Sequence, residues 1–366
     1  MFASEVKALL ASGLVVRRLN PTAVAAYLSL GSVPSPLTVI DGVRCLEPGS
    51  LLSFQDGRLR IRPYWDLVFQ EKSGLGEAQV GEPLREHIRE SVRLRLACDV
   101  PVGAFLSDEV DSSALLSFMR ESVPGRLRTF SLAFEQPRFN KRPFARALAE
   151  RFQTQHTEYV ITSQEVLREL NLIVAAMDQP SVNGISSYFV SRVARSSGVA
   201  VALSGLGGDE LFGGCPSFWL GLRLLQCDGS SGASWESRKA VEALVDLLPL
   251  NGQKKKIAAF LRRRPSLEGI YLVAKRLFWE NSLERILSRN FINGSADFDP
   301  VLYLQDIGHG HAESPSNRIS RLELKTDLHN QLLRDSDGMS MAHSLEVRAP
   351  FLDHGLVEFL AEVPAA

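Results

Sequence analysis

Cysteine is scarce in this chain of 366 residues, and the four that occur lie far apart. They are Cys45, Cys98, Cys215 and Cys227. The sequence has no C-x-x-C pair and no cluster of cysteine with histidine, so it does not predict a zinc site. Widely spaced cysteines of this kind are typical of reduced thiols, and we therefore expect a cytoplasmic protein.

Long apolar runs and an excess of one charge are also missing. No apolar run approaches the roughly 18 residues that a membrane-spanning helix needs, so we expect no membrane partner. The N-terminal segment carries Glu5 and Lys7 within its apolar run, which is unlike a signal peptide. The formal net charge of -1 predicts no general attraction to nucleic acid. One basic stretch, residues 254–264, is interpreted as a solvated helix face, with a phosphate contact as the alternative.

The first 83 residues combine turn signals with short alternating segments. An Asp56–Gly57 pair between two apolar segments predicts a β-hairpin. After this pair, arginines alternate with Leu59 and Ile61, which is typical of a half-buried strand. Residues 69–83 are polar and rich in glycine, and we interpret them as a linker. A length of 366 residues is compatible with two domains.

After residue 83 the pattern changes to alternating helices and strands. The predicted strands are residues 102–107, 128–134, 156–161 and 199–205, and the predicted helices include 112–120, 142–152, 163–177 and 186–198. This alternation favours an α/β fold, a parallel sheet with helices on both faces. Ligands bind such sheets at the carboxyl ends of the strands. Residues 218–300 read as mainly helical.

A glycine-rich bend follows the last of these strands. Residues 204–214 read SGLGGDELFGG, with five glycines in eleven residues. Glycine lets backbone N–H groups approach an anion closely, and Asp209 and Glu210 offer oxygen ligands that suit Mg²⁺. The residues alone indicate a phosphate- or nucleotide-binding loop. The alternative is a tight loop that carries solvated acids.

A second turn follows the strand at 102–107 and reads LSDEVDSS over residues 106–113. It resembles the pyrophosphate loop S-G-G-x-D-S of N-type ATP pyrophosphatases. Nearly the whole chain resembles the glutamine-hydrolysing asparagine synthetase family, because several motifs follow in the family's order. These motifs are FASEVKALL at 2–10, PGSLLSF and RPYWD before residue 68, SVRLRLACDVPVGAFLS at 91–107, TFSLAF at 129–134, MDQP at 177–180, VALSGLGGDELFGG at 201–214 and MSMAHSLEVRAPFLDH at 339–354.

The resemblance implies a fold, a reaction and a set of partners. It implies an adenine nucleotide alpha hydrolase-like (PP-loop) synthetase domain at 80–366, truncated at its C-terminus. Before it, residues 1–68 would be the remnant of an Ntn-hydrolase-type glutamine amidotransferase domain. ATP would adenylate a side-chain carboxylate and release pyrophosphate, and ammonia would displace AMP to form an amide. The implied small molecules are ATP, Mg²⁺, aspartate or another carboxylate, and ammonia. The implied protein partners are a second copy or a separate glutaminase.

The resemblance also implies roles for individual positions. Asp111 and Asp209 match the acidic pair that binds Mg²⁺. The positions that match ATP contacts are Leu106, Ser107, Asp111, Ser112, Ser113, Leu132, Ser204 and Gly205. The helix after the turn is expected to be capped by Asp111 or Ser112.

The turn departs from the family pattern where it should touch the ligand. Asp108 and Glu109 replace the two glycines, and each adds a Cβ and a negative charge beside the expected triphosphate. Two unit charges about 4 Å apart cost on the order of 4 kcal/mol at an effective dielectric constant near 20. The substitution therefore predicts weaker binding of phosphate.

Three further departures concern catalysis. Leu206 occupies the position of an acid that the family links to formation of the acyl-adenylate, so no catalytic residue is assigned. Position 2 is Phe2 rather than the cysteine nucleophile of the family's glutaminase, so we expect no hydrolysis of glutamine. The chain ends before a lysine that the family supplies near the reacting centre.

Three readings of the function follow. The first is an asparagine synthetase-like ATP-dependent amide ligase, impaired by the altered loop. The second is a catalytically degenerate relative that serves as a binding or scaffold protein. The third is a related amidotransferase that acts on another carboxylate.

Several other residues have a structural and a functional interpretation. We expect His156 to pack at a strand edge rather than to take part in catalysis. Met339 and Met341 are expected to fill the core. Glu346 and Arg348 are close enough in sequence to form an ion pair, with recognition of a carboxylate substrate as the alternative role of the arginine.

Overall fold

The chain forms two compact units, each built from separate segments of sequence. The computed structural model describes residues 1–123, 125–135, 142–228, 254, 257, 266–295, 298–308 and 313–365. The first unit comprises Met1–Val15, Glu71–Asp209 and Leu328–Pro364, and the second comprises Val16–Gln70, Glu210–Asp327 and Ala365–Ala366. The division at residues 68 and 80 that the sequence suggests stays a prediction.

The strands and helices are numbered in chain order over the described residues. The strands are β1 (Ser50–Gln55), β2 (Arg58–Pro63), β3 (Val102–Phe105), β4 (Arg128–Phe134), β5 (Gln155–Ile161), β6 (Val201–Leu203) and β7 (Glu346–Arg348). The α-helices are α1 (Val6–Ala11), α2 (Pro21–Leu30), α3 (Glu77–Leu96), α4 (Val110–Ser122), α5 (Arg142–Arg151), α6 (Ser163–Ala176), α7 (Ile185–Ser196), α8 (Gly208–Phe212), α9 (Pro216–Asp228), α10 (Leu267–Lys275), α11 (Glu280–Ile286), α12 (Arg289–Gly294), α13 (Pro300–Gly308), α14 (Pro315–Glu323), α15 (Arg334–Met341) and α16 (His354–Ala361). A π-helix (Leu324–Leu333) precedes α15, and a 3₁₀ helix (Pro350–Leu352) precedes α16.

A five-stranded sheet in the order β5-β4-β3-β6-β7 forms the centre of the first unit. All four pairs of neighbouring strands are parallel. Ala104 in the central strand pairs with Thr129 of β4 on one side and with Leu203 of β6 on the other. The predicted parallel α/β fold is confirmed. Since β3 and β6 are neighbours, the turns that follow them leave the sheet side by side.

Helix α7 and the sheet share a buried apolar core. Phe130, Ala194 and Ala202 belong to one cluster of this core, and Phe189 and Met339 belong to the next. The prediction that Met339 fills the core is therefore confirmed. The same prediction for Met341 is wrong, because that side chain is 54% exposed. Positions two apart on a helix point in nearly opposite directions, so α15 cannot bury both.

Helix α3 begins earlier than the sequence suggests. It starts at Glu77, so the predicted linker at 69–83 is wrong in its second half. The Gln79 side chain accepts a hydrogen bond from the Gly76 N–H at 2.8 Å and caps the first turn. Ile88 and Val92, four residues apart on one face of this helix, are buried.

The second unit contains the predicted hairpin, in which β1 and β2 pair antiparallel. Asp56 and Gly57 have φ values of 51° and 73°, as a tight two-residue turn requires. The prediction of a half-buried strand is wrong, because Leu59 and Ile61 are 58% and 57% exposed. The alternation separates an apolar face from an arginine face, and both faces of the hairpin are exposed.

The described residues of 218–300 are mainly helical, as predicted, and this part of the second unit contains a network of charges around a buried glutamate. Glu323 is fully buried and lies 2.9 Å from the Lys275 Nζ. It also accepts hydrogen bonds from the hydroxyls of Ser217 and Tyr271. Asp327 lies 2.9 Å from the same lysine nitrogen. These contacts join α9, α10 and α14.

Three of the four cysteines can be assessed. Cys45, Cys98 and Cys215 form no disulfide bond in the described part of the chain, as expected. The side chain of Cys227 and most of the basic stretch 254–264 lie outside the described residues. Over the ranges that the structure describes, none of the helices is both long and apolar enough to span a membrane.

Candidate functional site

Two polar turns leave the same edge of the sheet in the first unit. Leu106 follows β3, and its N–H donates to the Phe130 carbonyl of β4 at 2.8 Å. Ser204 follows β6, and its N–H donates to the Arg348 carbonyl of β7 at 2.9 Å. Leu132 lies two residues beyond Phe130 in β4 and is therefore at this edge as well. The carboxyl ends of three adjacent strands thus carry the predicted positions.

The turn after β3 is held together by the hydroxyl of Ser112, which is buried. It accepts a hydrogen bond from the Ser107 N–H at 3.1 Å and lies 3.0 Å from the Ser107 Oγ. The Ser113 hydroxyl donates to the Glu109 carbonyl at 3.0 Å. The predicted cap is wrong: α4 begins at Val110 with Glu109 as its cap residue, in an extended conformation. Ser112 lies inside the first turn of the helix and contacts Ser107 instead.

The turn after β3 and the bend after β6 are in direct contact. A Cβ added to Gly205 would lie 3.1 Å from the Asp111 Cβ and 3.2 Å from the Ser112 nitrogen. A Cβ added to Gly208 would overlap the Asp111 carboxylate. The Asp209 N–H donates a hydrogen bond to that carboxylate. Glycine at position 208 therefore provides the space that Asp111 occupies beside Asp209.

Negative charge accumulates where the turns meet. Burial, followed by the charges of Asp209 and Glu109, raises the pKa of Asp111 from 3.8 to about 6, although the hydrogen bond from the Asp209 backbone acts in the opposite direction. Two adjacent carboxylates are a donor set that suits Mg²⁺, which is commonly bound by one or two carboxylates together with phosphates and water. Within the described ranges, no group of three or more histidine, cysteine or acidic side chains is arranged to hold a metal.

Glu109 folds back over the turn. Its carboxylate Oε2 accepts a hydrogen bond from the Ser107 hydroxyl at 3.3 Å, and its own N–H donates to the Ser107 Oγ at 3.2 Å. Sequence reasoning identified the charge of Glu109 but missed this contact with Ser107. It also missed Gly208, for which the signal was a third glycine immediately before Asp209.

Leu206 and Gly207 complete the bend. Leu206 is half-buried in the turn. Gly207 has a φ of 96°, and a Cβ added there would overlap the Leu352 side chain. The positive φ and the lack of space for a Cβ both favour glycine at this position.

Arg348 is used within the fold of the first unit. It forms the predicted ion pair with Glu346, with 2.8 Å between Nε and Oε1. Its Nη1 also donates to the Arg95 carbonyl at 2.6 Å, at the C-terminal end of α3. These contacts support the structural interpretation of the arginine.

His156 likewise has two partners in the sheet. Its Nδ1 lies 3.0 Å from the Thr129 hydroxyl, and its Nε2 lies 3.0 Å from the Ser131 hydroxyl. Burial lowers its pKa, which favours the neutral ring. The geometry supports a structural role at this strand pair.

Comparison with known families places these turns in context. Residues 83–366 match the family described as Asparagine synthase, and residues 1–65 match a Glutamine amidotransferase domain. The chain belongs to the asparagine synthase family. The predicted family is confirmed.

Curated relatives agree with this membership. The chain is 30% identical over 371 residues to asparagine synthetase (glutamine-hydrolyzing) 1 of Bacillus subtilis, covering 99% of this chain and 56% of the relative. It is 33% identical over 236 residues to putative asparagine synthetase (glutamine-hydrolyzing) 2 of Methanocaldococcus jannaschii, covering 61% and 44%. It is 24% identical over 365 residues to Amidase chry2 of Gibberella zeae, covering 89% and 53%. The chain spans about half the length of the curated relatives it matches.

Proposed function

We propose that this chain carries out the ATP-dependent conversion of a carboxylate to an amide, with aspartate as the acceptor. Family membership supports this reaction class. The observation that carries the proposal is the contact between the two turns, in which Asp111 lies against Gly208 and beside Asp209. A nucleotide's phosphate tail would bind between these turns.

The residues at the sheet edge have distinct proposed roles. The hydroxyls of Ser107 and Ser113 and the backbone around Gly205 would bind the phosphates. Leu132 would lie beside the adenine, with Leu106, Ser112 and Ser204 shaping the same site. Asp111 and Asp209 would hold Mg²⁺, which neutralises charge on the phosphates when it is bound.

Two features of this chain limit the proposed reaction. Leucine at position 206 can neither transfer a proton nor bind a metal, so we assign no acid to that position. The carboxylates of Asp108 and Glu109 add negative charge next to the phosphates. The proposed adenylation therefore depends on neutralisation of charge by Mg²⁺ and by backbone N–H groups.

The second candidate function is a catalytically degenerate relative that serves as a binding or scaffold protein. The contact between Glu109 and Ser107 favours it, because the hydroxyl expected to bind phosphate already has a charged partner. The ligase requires ATP to bind between the two turns, whereas the degenerate relative does not. They differ in whether pyrophosphate is released.

The decisive experiment measures pyrophosphate from ATP, Mg²⁺, ammonium and aspartate. We expect release only when aspartate is present, with AMP and asparagine formed in equal amounts. Replacing Asp111 by Asn should lower the rate at least about 100-fold, by analogy with the loss of one charge-stabilising group from other active sites. The matched control is Asp99→Asn, which changes an exposed acid.

The outcome separates the candidates. No pyrophosphate from the wild-type chain or from a variant with glycine at 108 and 109 would refute the ligase. An unchanged melting temperature with millimolar Mg-ATP would then support the second candidate, because a bound nucleotide would raise it. Replacing aspartate with other carboxylic acids tests the acceptor, for which the relative named amidase gives a reason. Replacing ammonium with glutamine tests the nitrogen donor.

A further inference from the structure

The hydroxyl groups of the turn after β3 differ in the kind of partner they have. The Ser112 hydroxyl is within hydrogen-bond distance of the carbonyls of Ser107 and Glu109, at 3.3 and 3.1 Å. Ser113 donates to the Glu109 carbonyl. The Ser107 hydroxyl lies 3.0 Å from the Ser112 Oγ, and it also has the carboxylate of an exposed side chain as an acceptor, Glu109 at 3.3 Å. A side chain can turn away without breaking the backbone of the turn, so this partner is the exchangeable one.

The carboxylate of Glu109 has the same chemistry as the ligand expected at this turn. It is an anion that accepts a hydrogen bond from a serine hydroxyl, as a phosphate oxygen would. It also lies close enough to Asp111 for its charge to act on that carboxylate. An entering phosphate tail would meet both the occupied hydroxyl and this charge.

We propose that Glu109 is a specificity-determining residue that competes with the β- and γ-phosphates of ATP for the Ser107 hydroxyl. This inference rests on the proposed function, which has the nucleotide bound at these turns. Glu109 selects against the nucleotide in proportion to the charge of its phosphate tail. A nucleoside monophosphate, which has no β- or γ-phosphate, escapes the competition. ATP binds well only when a cation offsets the carboxylate.

The test compares the dissociation constants of Mg-ATP and AMP by calorimetry in wild type and Glu109→Gln. Glutamine keeps the shape of the side chain and removes its charge. We expect the variant to bind Mg-ATP about tenfold more tightly or better, because the charge that is lost lies beside the phosphates and contacts the Ser107 hydroxyl itself. Its affinity for AMP should stay within about twofold of wild type, since AMP lacks the phosphates concerned. The ATP affinity of wild type should also rise more steeply with Mg²⁺ than that of the variant.

Asp108→Asn is the matched control, because it removes one negative charge from the adjacent position of the same turn. We expect it to raise ATP affinity by at most about threefold, since the contact between Glu109 and Ser107 is left in place. Glu109→Ala provides a second variant that removes both the charge and the acceptor, and it should behave as Glu109→Gln does. Circular dichroism verifies that each variant is folded.

Three outcomes would overturn the inference. In the first, Glu109→Gln and Glu109→Ala leave ATP affinity unchanged. In the second, they strengthen AMP and ATP binding equally, or Asp108→Asn has the same effect as Glu109→Gln. Either result excludes the competition for Ser107 but leaves the proposed nucleotide site in place. In the third, neither AMP nor ATP binds to wild type or to either Glu109 variant at millimolar concentration, and the proposed function fails together with the inference.

Discussion

Replacing Asp111 by Asn should stabilise the metal-free protein at neutral and alkaline pH. Burial, then the charges of Asp209 and Glu109, raise the pKa of Asp111 from 3.8 to about 6 in the folded chain. The folded state therefore binds this proton more tightly than the unfolded state does. The free energy of unfolding falls as the pH rises from about 3.8 to about 6, and the full penalty is present above pH 6.

The size of this penalty follows from the pKa. A rise from 3.8 to about 6 corresponds to about 3 kcal/mol, at 1.36 kcal/mol for each pH unit. Asp111 is only half-buried, so solvent screens the interaction, and we discount the gain to roughly 1 to 1.5 kcal/mol. Asparagine keeps an oxygen that can accept the hydrogen bond from the Asp209 N–H, so that contact need not be lost.

Urea denaturation with a chelator present measures this gain at several pH values. The stabilisation of Asp111→Asn should be full near pH 8 and should shrink toward pH 4, where the native carboxyl is protonated as well. Asp99→Asn, the exposed control, should show no such pH dependence. A variant that is no more stable than wild type at pH 8, or equally stabilised at pH 4 and 8, would refute the reasoning.

Two further predictions test packing and the contact between the turns. Glu323→Gln should lower the free energy of unfolding by about 3 kcal/mol in urea denaturation, because it breaks the ion pair between the buried Glu323 and the half-buried Lys275. A loss below about 1 kcal/mol would contradict this. Gly208→Ala should weaken Mg-ATP binding about tenfold by calorimetry, because its Cβ would displace the Asp111 carboxylate. Gly81→Ala in α3 has open space around the added Cβ and should leave binding unchanged, so an equal effect of both would refute the explanation.

The strands of the first unit could be predicted because their residues are apolar in short runs between polar turns. The predicted strand at 128–134 has the bounds of β4, and both Thr129 and Phe130 in it are buried. The start of α3 could not be predicted in the same way. Gly76 and Pro83 are typical of turns, but Gly76 is the extended residue that precedes the helix and Pro83 lies inside it.

The candidate site could be predicted only in part. Residue types indicated a phosphate loop at the glycine-rich bend, and the family resemblance identified the turn after β3 and paired Asp111 with Asp209. Their proximity depends on β3 and β6 being neighbours, and the spacing of residues along a chain does not fix the order of strands. The roles of Gly208 and Glu109 depend on the positions of the Asp111 and Glu109 side chains, which the periodicity of a sequence does not predict.

The acids at the turns link the stability of the protein to the occupancy of its site. Asp111 and Asp209 repel each other in the metal-free chain, and the fold holds them together through neighbouring strands and through the space at Gly208. A bound cation would remove that repulsion, so part of its binding free energy would come from the loss of repulsion between the two carboxylates in the folded state. Asp111→Asn should therefore act in opposite directions, stabilising the metal-free chain while reducing the stabilisation that Mg-ATP provides. Substitution of a residue with a purely structural role would change the stability of the protein in the same direction with and without the nucleotide.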